Sequence, residues 1–321
     1  MTSAASIAPP RLDAAKFRDP DVTARGEPRA HVALEALRTL WFNTGTLCNL
    51  TCATCYIDSS PTNDRLAYLT LDEVRAFLDE IAASGLPTRE IGFTGGEPFM
   101  NPDLVPMLRL CLERGFRVLV LTNAMKPMMK VAESLLPLAG EHGDRLTLRV
   151  SLDHHSETLH AMERGARAWD PAIEGLQWLA RHGFTVAVAG RLKWGEPEAT
   201  MREGYRRLFA SLGIAIDADD PVRLTIFPEM DGRLDVPEIT EACWGILNVS
   251  PDAMMCASSR MVVKRKGTDR PVVLPCTLLP YDETFEMGHT LAEASDAVAL
   301  NHPHCARFCV LGGGACSRAA D

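Results

Sequence analysis

The sequence predicts an α/β fold built from six strand–helix units, followed by a small cysteine-rich domain organised by metal. Two observations predict it. Strand patterns alternate with amphipathic helices across residues 35–230, and such alternation implies right-handed βαβ units and a parallel sheet. Beyond residue 230 the alternation stops, helical periodicity is weak outside 291–300, and five of the ten cysteines fall between Cys256 and Cys316. A region of that kind is held together by ligands more than by an apolar core.

Taken in order, residues 1–34 are rich in Ala, alternating charge and Pro (Pro9, Pro10, Pro20, Pro28), and read as an extended or partly disordered arm. A strand at 37–43 runs into a cysteine loop. Thr70-Leu71-Asp72-Glu73 carries a capping box, and Val74, Phe77, Leu78 and Ile81 follow at helical spacing as far as Gly85. A short strand at 90–94 ends on Gly95-Gly96-Glu97-Pro98. Helices are expected at 103–114, 126–138 (despite Pro127 and Pro137), 157–162, 171–182 and 198–212, with strands at 116–122, 146–152, 184–192 and 222–227. Six units are too few to close an eight-stranded barrel. The expected domains are the arm (1–34), the βα region (35–230) and the cysteine-rich region (231–321).

Composition narrows the function. A net charge of −9 and pI near 5.5 leave no basic footprint for nucleic acid, and Lys264-Arg265-Lys266 reads as a solvated turn. No apolar run reaches the roughly 18 residues that span a bilayer, and residues 1–11 lack the basic start and apolar core of a secretory signal. The expected compartment is the cytoplasm, where thiols stay reduced. Ten cysteines there argue for metal rather than disulfides.

Eight of the ten cysteines fall in two groups, and the first is Cys48, Cys52 and Cys55, a C-x3-C-x2-C run followed by Tyr56. Three thiolates this close can wrap one iron–sulfur cubane and leave its fourth iron open to a non-protein ligand. A structural zinc knot is the competing reading. Zinc wants a fourth ligand nearby, and beyond Asp58 no Cys or His follows until Cys111.

The run resembles the cluster loop of the radical S-adenosylmethionine (SAM) enzymes, and Gly95-Gly96-Glu97-Pro98, about 40 residues later and directly after a strand, resembles their GGEP segment. The resemblance implies a partial (β/α)6 TIM-like barrel and a 4Fe-4S cluster whose open iron chelates SAM. One electron then cleaves SAM to a 5′-deoxyadenosyl radical, which abstracts hydrogen from substrate. It also implies that Gly95, Gly96 and Glu97 receive the methionyl ammonium, with Thr122 and Asn123 near the ribose or carboxylate. Ser151-Leu152-Asp153 resembles the family's VSLDG pattern, with Ser151 and Asp153 approaching ribose and substrate; His154 replaces the glycine, making it a candidate proton donor. Arg164-Gly165 resembles a further family segment. Arg191 is expected on the SAM carboxylate or in a surface salt bridge, Phe227-Pro228-Glu229-Met230 along the adenine, and Tyr56 packed beside it.

The second group, Cys256, Cys276, Cys305, Cys309 and Cys316, resembles the SPASM and Twitch extensions that carry auxiliary 4Fe-4S clusters, although the spacing from Gly267 to Cys276 is long and the full set of seven cysteines is not present. Five thiolates suffice for one closed auxiliary cluster and a spare, or an open cluster with two uncommitted, but not for two full clusters; structural zinc is the alternative. Cys111 reads as core, and Cys243 and Tyr281 are candidate hydrogen-atom donors. The expected function is a radical SAM oxidoreductase acting on a peptide or protein, supplied with electrons by a reductant such as flavodoxin or ferredoxin. Its alternatives are a radical SAM enzyme for a small molecule (oxidation, epimerisation or cofactor building) and a non-catalytic zinc or iron–sulfur protein.

Overall fold

Seven parallel strands and one antiparallel strand form the central sheet of the computed structural model, which describes residues 10–316. The chain order of strands is β1 (His31–Val32), β2 (Thr39–Asn43), β3 (Glu90–Thr94), β4 (Arg117–Thr122), β5 (Leu146–Ser151), β6 (Thr185–Arg191), β7 (Leu224–Phe227), β8 (Ser259–Val263), β9 (Val272–Leu274) and β10 (Val298–Ala299). Across the sheet they run β7-β6-β5-β4-β3-β2-β8-β9. The six expected strands are β2 to β7, each parallel to the next and joined by crossover helices, so this is the partial barrel.

The cysteine-rich region extends that sheet. Strand β8 pairs parallel with β2 from Thr39↔Ser259 to Phe42↔Val262, and β9 returns antiparallel. Its sequence hid this because Arg260 interrupts the apolar run. The Arg260 side chain is nonetheless buried, with its guanidinium donating to the carbonyls of Cys256, Ser259, Ala294 and Asp296. The same bonds correct the helix expected at 291–300. Carbonyls of 294 and 296 that a helix would use are taken by Arg260, and Leu300 N–H donates to Ala30. What forms instead is a 3-10 turn, Glu293–Ser295, and then β10, antiparallel to β1.

Apart from β1, residues 10–34 run as irregular chain laid against 233–240 and 298–300, while residues 1–9 of the expected arm lie outside the described residues. Leu12 N–H donates to Arg233 O, Ala30 N–H to Ile239 O, and the buried Arg29 guanidinium pairs with Glu238 at 2.6 Å. The helix at 71–83 begins with both bonds of the capping box, Glu73 N–H to Thr70 Oγ1 and Thr70 N–H to the Glu73 carboxylate. The helix expected at 126–138 is two, Lys126–Lys130 and Ala132–His142, with Pro127 in the first turn, where its missing N–H costs nothing. Among the described residues no helix is long and apolar enough to cross a membrane.

Period-two alternation sorts the core. Leu40 and Phe42, Ile91 and Phe93, and Val118 and Val120 pack under the helices. On the other face Trp41 and Leu119 pack with Met255, Met261, Leu278 and Phe308 of the C-terminal region, which covers the inside of the sheet. Gly92 on β3 makes room for Trp41, since a Cβ there would stand 2.3 Å from the indole. Gly92→Ala is therefore expected to destabilise the fold by about 1–3 kcal/mol, as overpacking of a dense core does. Chemical denaturation of the two proteins checks this, and an unchanged midpoint would mean the indole can shift freely.

Candidate active site

The carboxyl ends of β2 to β7 surround one cavity, the place where parallel α/β folds carry their chemistry. Its wall includes Cys48, Cys52, Cys55, Tyr56, Gly95, Gly96, Thr122, Asn123, Ser151, Asp153, Arg164, Arg191 and Cys316. The cysteine loop and the Gly-Gly segment meet backbone to backbone. Gly96 N–H donates to Gly45 O at 2.9 Å and Glu97 N–H to Leu47 O at 3.1 Å. A Cβ at Gly96 would lie 2.2 Å from Leu47 O, and Gly95 has φ +138°, so both positions require glycine.

Glu97 is buried, and its carboxylate accepts three hydrogen bonds: Thr122 Oγ1 at 2.9 Å, Asn123 N–H at 2.8 Å and Phe99 N–H at 3.2 Å. Burial outweighs those donors and pushes its carboxyl up to about 7. Asn123 Nδ2 also donates to Asn49 in the cysteine loop at 2.9 Å. Burial likewise pushes the Cys48 thiol up to about 12 and raises Cys52, where Arg164 pulls the other way.

The buried Asp153 and the half-buried Arg164 form an ion pair at 2.5 Å. Burial raises the Asp153 carboxyl, yet Arg164 overrides it and holds the group below the usual carboxylate range. Beside it stands Glu163, which the sequence reading passed over. Its Oε1 accepts from Thr54 N–H and Oγ1, both at 2.8 Å, and its two oxygens meet Arg191 at 3.3 Å and Lys193 at 2.5 Å. Glu163 thus ties the cysteine loop to the end of β6. Arg191 further donates to Thr54 Oγ1 at 2.8 Å and faces Glu229 at 3.6 Å. It sits in a buried network rather than a surface bridge. The signal for Glu163 was its place next to the Arg164-Gly165 segment.

Burial raises the pKa of the Tyr56 hydroxyl, and Cys316, Cys55 and Cys276 raise it further. Pro228 stands outside the cavity wall, against Gly312, while its neighbours Phe227 and Met230 line it. The remaining candidates also stand outside the wall. Tyr281 donates its hydroxyl to Ile57 O at 2.6 Å beneath the Arg65 guanidinium, and the Cys243 sulfur lies 3.4 Å from Thr240 N and Oγ1. His154 accepts Ser156 N–H at Nδ1, 2.8 Å away, and presents Nε2 to Glu196, with His155 nearby. These three could frame a metal ion by proximity. A neutral His154 that accepts at Nδ1 must carry its proton on Nε2, so that nitrogen donates to Glu196 and has no lone pair for a metal.

None of the ten cysteines is in a disulfide. Cys256, Cys276, Cys305 and Cys309 stand together behind the cavity wall. Burial raises the Cys309 thiol well above its usual value, and Cys305, Cys276, Cys256 and Cys316 raise it further.

The family model of the Radical SAM superfamily matches residues 42–202. Among curated proteins the chain is 30% identical over 143 residues to the antilisterial bacteriocin subtilosin biosynthesis protein AlbA of Bacillus subtilis, covering 44% of this chain and 30% of that protein. It is 30% identical over 142 residues to the AdoMet-dependent heme synthase of Methanosarcina barkeri, covering 44% and 38%. The chain thus spans about a third of the length of these relatives. Among solved structures it resembles Streptococcus suis SuiB bound to precursor peptide SuiA (TM-score 0.59, 14% identity, 82% of this chain and 66% of that one) and anSMEcpe with bound AdoMet (TM-score 0.56, 13% identity, 80% and 79%). The chain belongs to the radical SAM superfamily, enzymes that use a 4Fe-4S cluster and S-adenosylmethionine.

Proposed function

We propose that this radical SAM enzyme modifies a peptide or protein substrate and carries one auxiliary 4Fe-4S cluster on Cys256, Cys276, Cys305 and Cys309. The observation that carries the reading is the arrangement of thiols: three from one loop on the cavity wall, and a second group in the C-terminal region in which Cys256, Cys276 and Cys305 stand near Cys309. When bound, the cluster and SAM supply a 5′-deoxyadenosyl radical that removes a hydrogen atom from substrate. Three thiols in an eight-residue loop suit a cubane with one open iron. The Gly95-Gly96 backbone leaves the approach beside them free of side chains. Ser59 Oγ and Arg191 Nε, both buried polar atoms of residues on the cavity wall, have no hydrogen-bond partner among the described residues, which suits a polar ligand.

In this reading Glu97, fixed by three donors, receives the ammonium of SAM. Thr122, Asn123 and Ser151 face its ribose and carboxylate, Arg191 holds the carboxylate, and Tyr56 packs on the adenine side with the segment after β7. Asp153 keeps Arg164 aimed at the cysteine loop. A flavodoxin- or ferredoxin-type carrier supplies single electrons, and a cysteine set suited to iron rather than disulfides favours a cytoplasmic enzyme. Peptide substrates are favoured by the relative named for bacteriocin biosynthesis and by fold neighbours solved with peptides, SuiA and Kp18Cys. A small-molecule substrate is the second reading, favoured by relatives such as the GTP 3′,8-cyclase of Rhodococcus opacus.

Co-expression with the short peptides encoded beside its gene, followed by mass spectrometry, tests the substrate class. A mass change on one peptide that requires Cys48 is expected. Unaltered peptides, together with a small molecule that accelerates SAM cleavage, would overturn the peptide reading.

The Glu97 carboxyl gives a pH prediction. With a pKa of about 7 in the free protein, it is mostly neutral at pH 6 and mostly charged at pH 8. A cationic ammonium binds the charged form, and the α-ammonium itself is about half deprotonated by pH 8, so SAM affinity should rise about fivefold from pH 6 to pH 8. Calorimetric titration should show this rise in wild type and no rise in Glu97→Gln. A wild-type affinity independent of pH would remove Glu97 from the ammonium.

A further inference from the structure

Of the five C-terminal cysteines, Cys316 alone lines the cavity that Cys48, Cys52, Cys55 and the Gly95-Gly96 segment share. Its place is set from two sides. The sulfur lies 3.0 Å from Thr277 Oγ1, and Arg149 Nη1 donates to the Cys316 carbonyl at 2.7 Å. Thr277 and Arg149 are themselves 1% and 5% exposed, so neither can swing away. The same wall holds Ser59 and Arg191, 5% and 8% exposed, each with a polar atom that has no partner among the described residues. The thiol therefore faces a chamber with unmet capacity for a polar ligand. The other four C-terminal cysteines are absent from that wall and suffice in number for a closed cubane, while Cys316 stands beside Cys276 and Cys309 with its sulfur turned to Thr277 and the cavity.

We propose that Cys316 is a free thiol of the reaction chamber, not a ligand of the auxiliary cluster, and gives its hydrogen atom to a carbon-centred radical formed there. This rests on the radical chemistry proposed above. In the step a C–H bond forms, the S–H bond breaks homolytically, and Cys316 is left as a thiyl radical. One electron from the reduced one-electron carrier and one proton from water restore the thiol. The transfer runs downhill because an S–H bond is weaker than an aliphatic C–H bond. It also moves no net charge, so the apolar wall around Phe227, Leu278 and Phe308 does not oppose it. Thr277 keeps the sulfur in place while the atom leaves.

The test uses anaerobically reconstituted full-length protein, wild type and the variants Cys316→Ala and Cys316→Ser. SAM is turned over in D2O with titanium(III) citrate, with no thiol reagent and no added substrate. Thiol hydrogens exchange with D2O and carbon-bound hydrogens do not, so deuterium in 5′-deoxyadenosine reports a thiol donor. Wild type is expected to give deuterated 5′-deoxyadenosine, and both variants to give it with only background label. Iron should stay at about eight per chain in all three. The serine variant keeps a hydrogen-bonding group for Thr277, guarding against a folding failure of the alanine variant. Iron falling to about four in both variants would make Cys316 a cluster ligand and overturn the proposal. An unchanged deuterated fraction at full iron would also overturn it. No 5′-deoxyadenosine from wild type would remove the radical chemistry itself, and this step with it.

Discussion

Replacing Cys48, Cys52 and Cys55 together by Ala is expected to lower the iron of the reconstituted protein from about eight to about four per chain and to abolish reductive SAM cleavage. The expectation follows from the separation of the two thiol groups. Cys48, Cys52 and Cys55 are carried by one loop after β2, anchored through backbone bonds to Gly95-Gly96-Glu97. The C-terminal group hangs on other segments: Cys256 precedes β8, Cys276 follows β9, and Cys305 and Cys309 lie in a π-helical turn, Cys305–Val310. Losing the loop thiols leaves that second set untouched. Iron counting with 5′-deoxyadenosine quantification checks both halves. About four irons in wild type, with cleavage intact, would remove the auxiliary cluster and favour redox-neutral chemistry. Full iron and intact cleavage in the triple variant would move the catalytic cluster elsewhere.

Much of this arrangement was legible in the sequence, because the signals were local. The capping box at Thr70–Glu73, the six strands and the C-x3-C-x2-C loop each depend on residues a few positions apart. What escaped was non-local. Strand β8 is recognisable only once Arg260 is seen to be satisfied by four carbonyls, two of them over thirty residues away. The turn at 293–295 has helical periodicity but loses its carbonyls to that same arginine. Glu163 looks like an ordinary helix carboxylate until Thr54, Arg191 and Lys193 converge on it. The placement of the C-terminal cysteines was equally hidden. Spacing alone does not say which of five thiols turns to the cavity, and the fold sends Cys316 there through the Arg149 bond to its carbonyl.

Asp153→Ala is expected to be the most destabilising single change near the site, costing about 1–3 kcal/mol at pH 7, because it leaves the half-buried Arg164 without its partner. Arg164 keeps two bonds to Asp153, at 2.5 and 3.3 Å, and stands beside the Cys52 and Cys55 thiols. Neighbouring Glu163 is already committed to Thr54, Arg191 and Lys193, so no free carboxylate stands ready to replace Asp153. The pH dependence has a definite sign. The folded Asp153 pKa is depressed below 3.8, so its contribution is present above that value and is lost as acid protonates the folded carboxylate. The gap between wild type and variant should therefore be widest near neutrality and close at strongly acid pH. Denaturant unfolding of the metal-free proteins across that range measures it. A cost below about 1 kcal/mol at pH 7 would mean that water reaches Arg164 and that the pair is no more than a surface bridge. A large cost would show that the cysteine loop is held by ion pairs independently of the metal, which would bring its three thiols to the cluster already ordered.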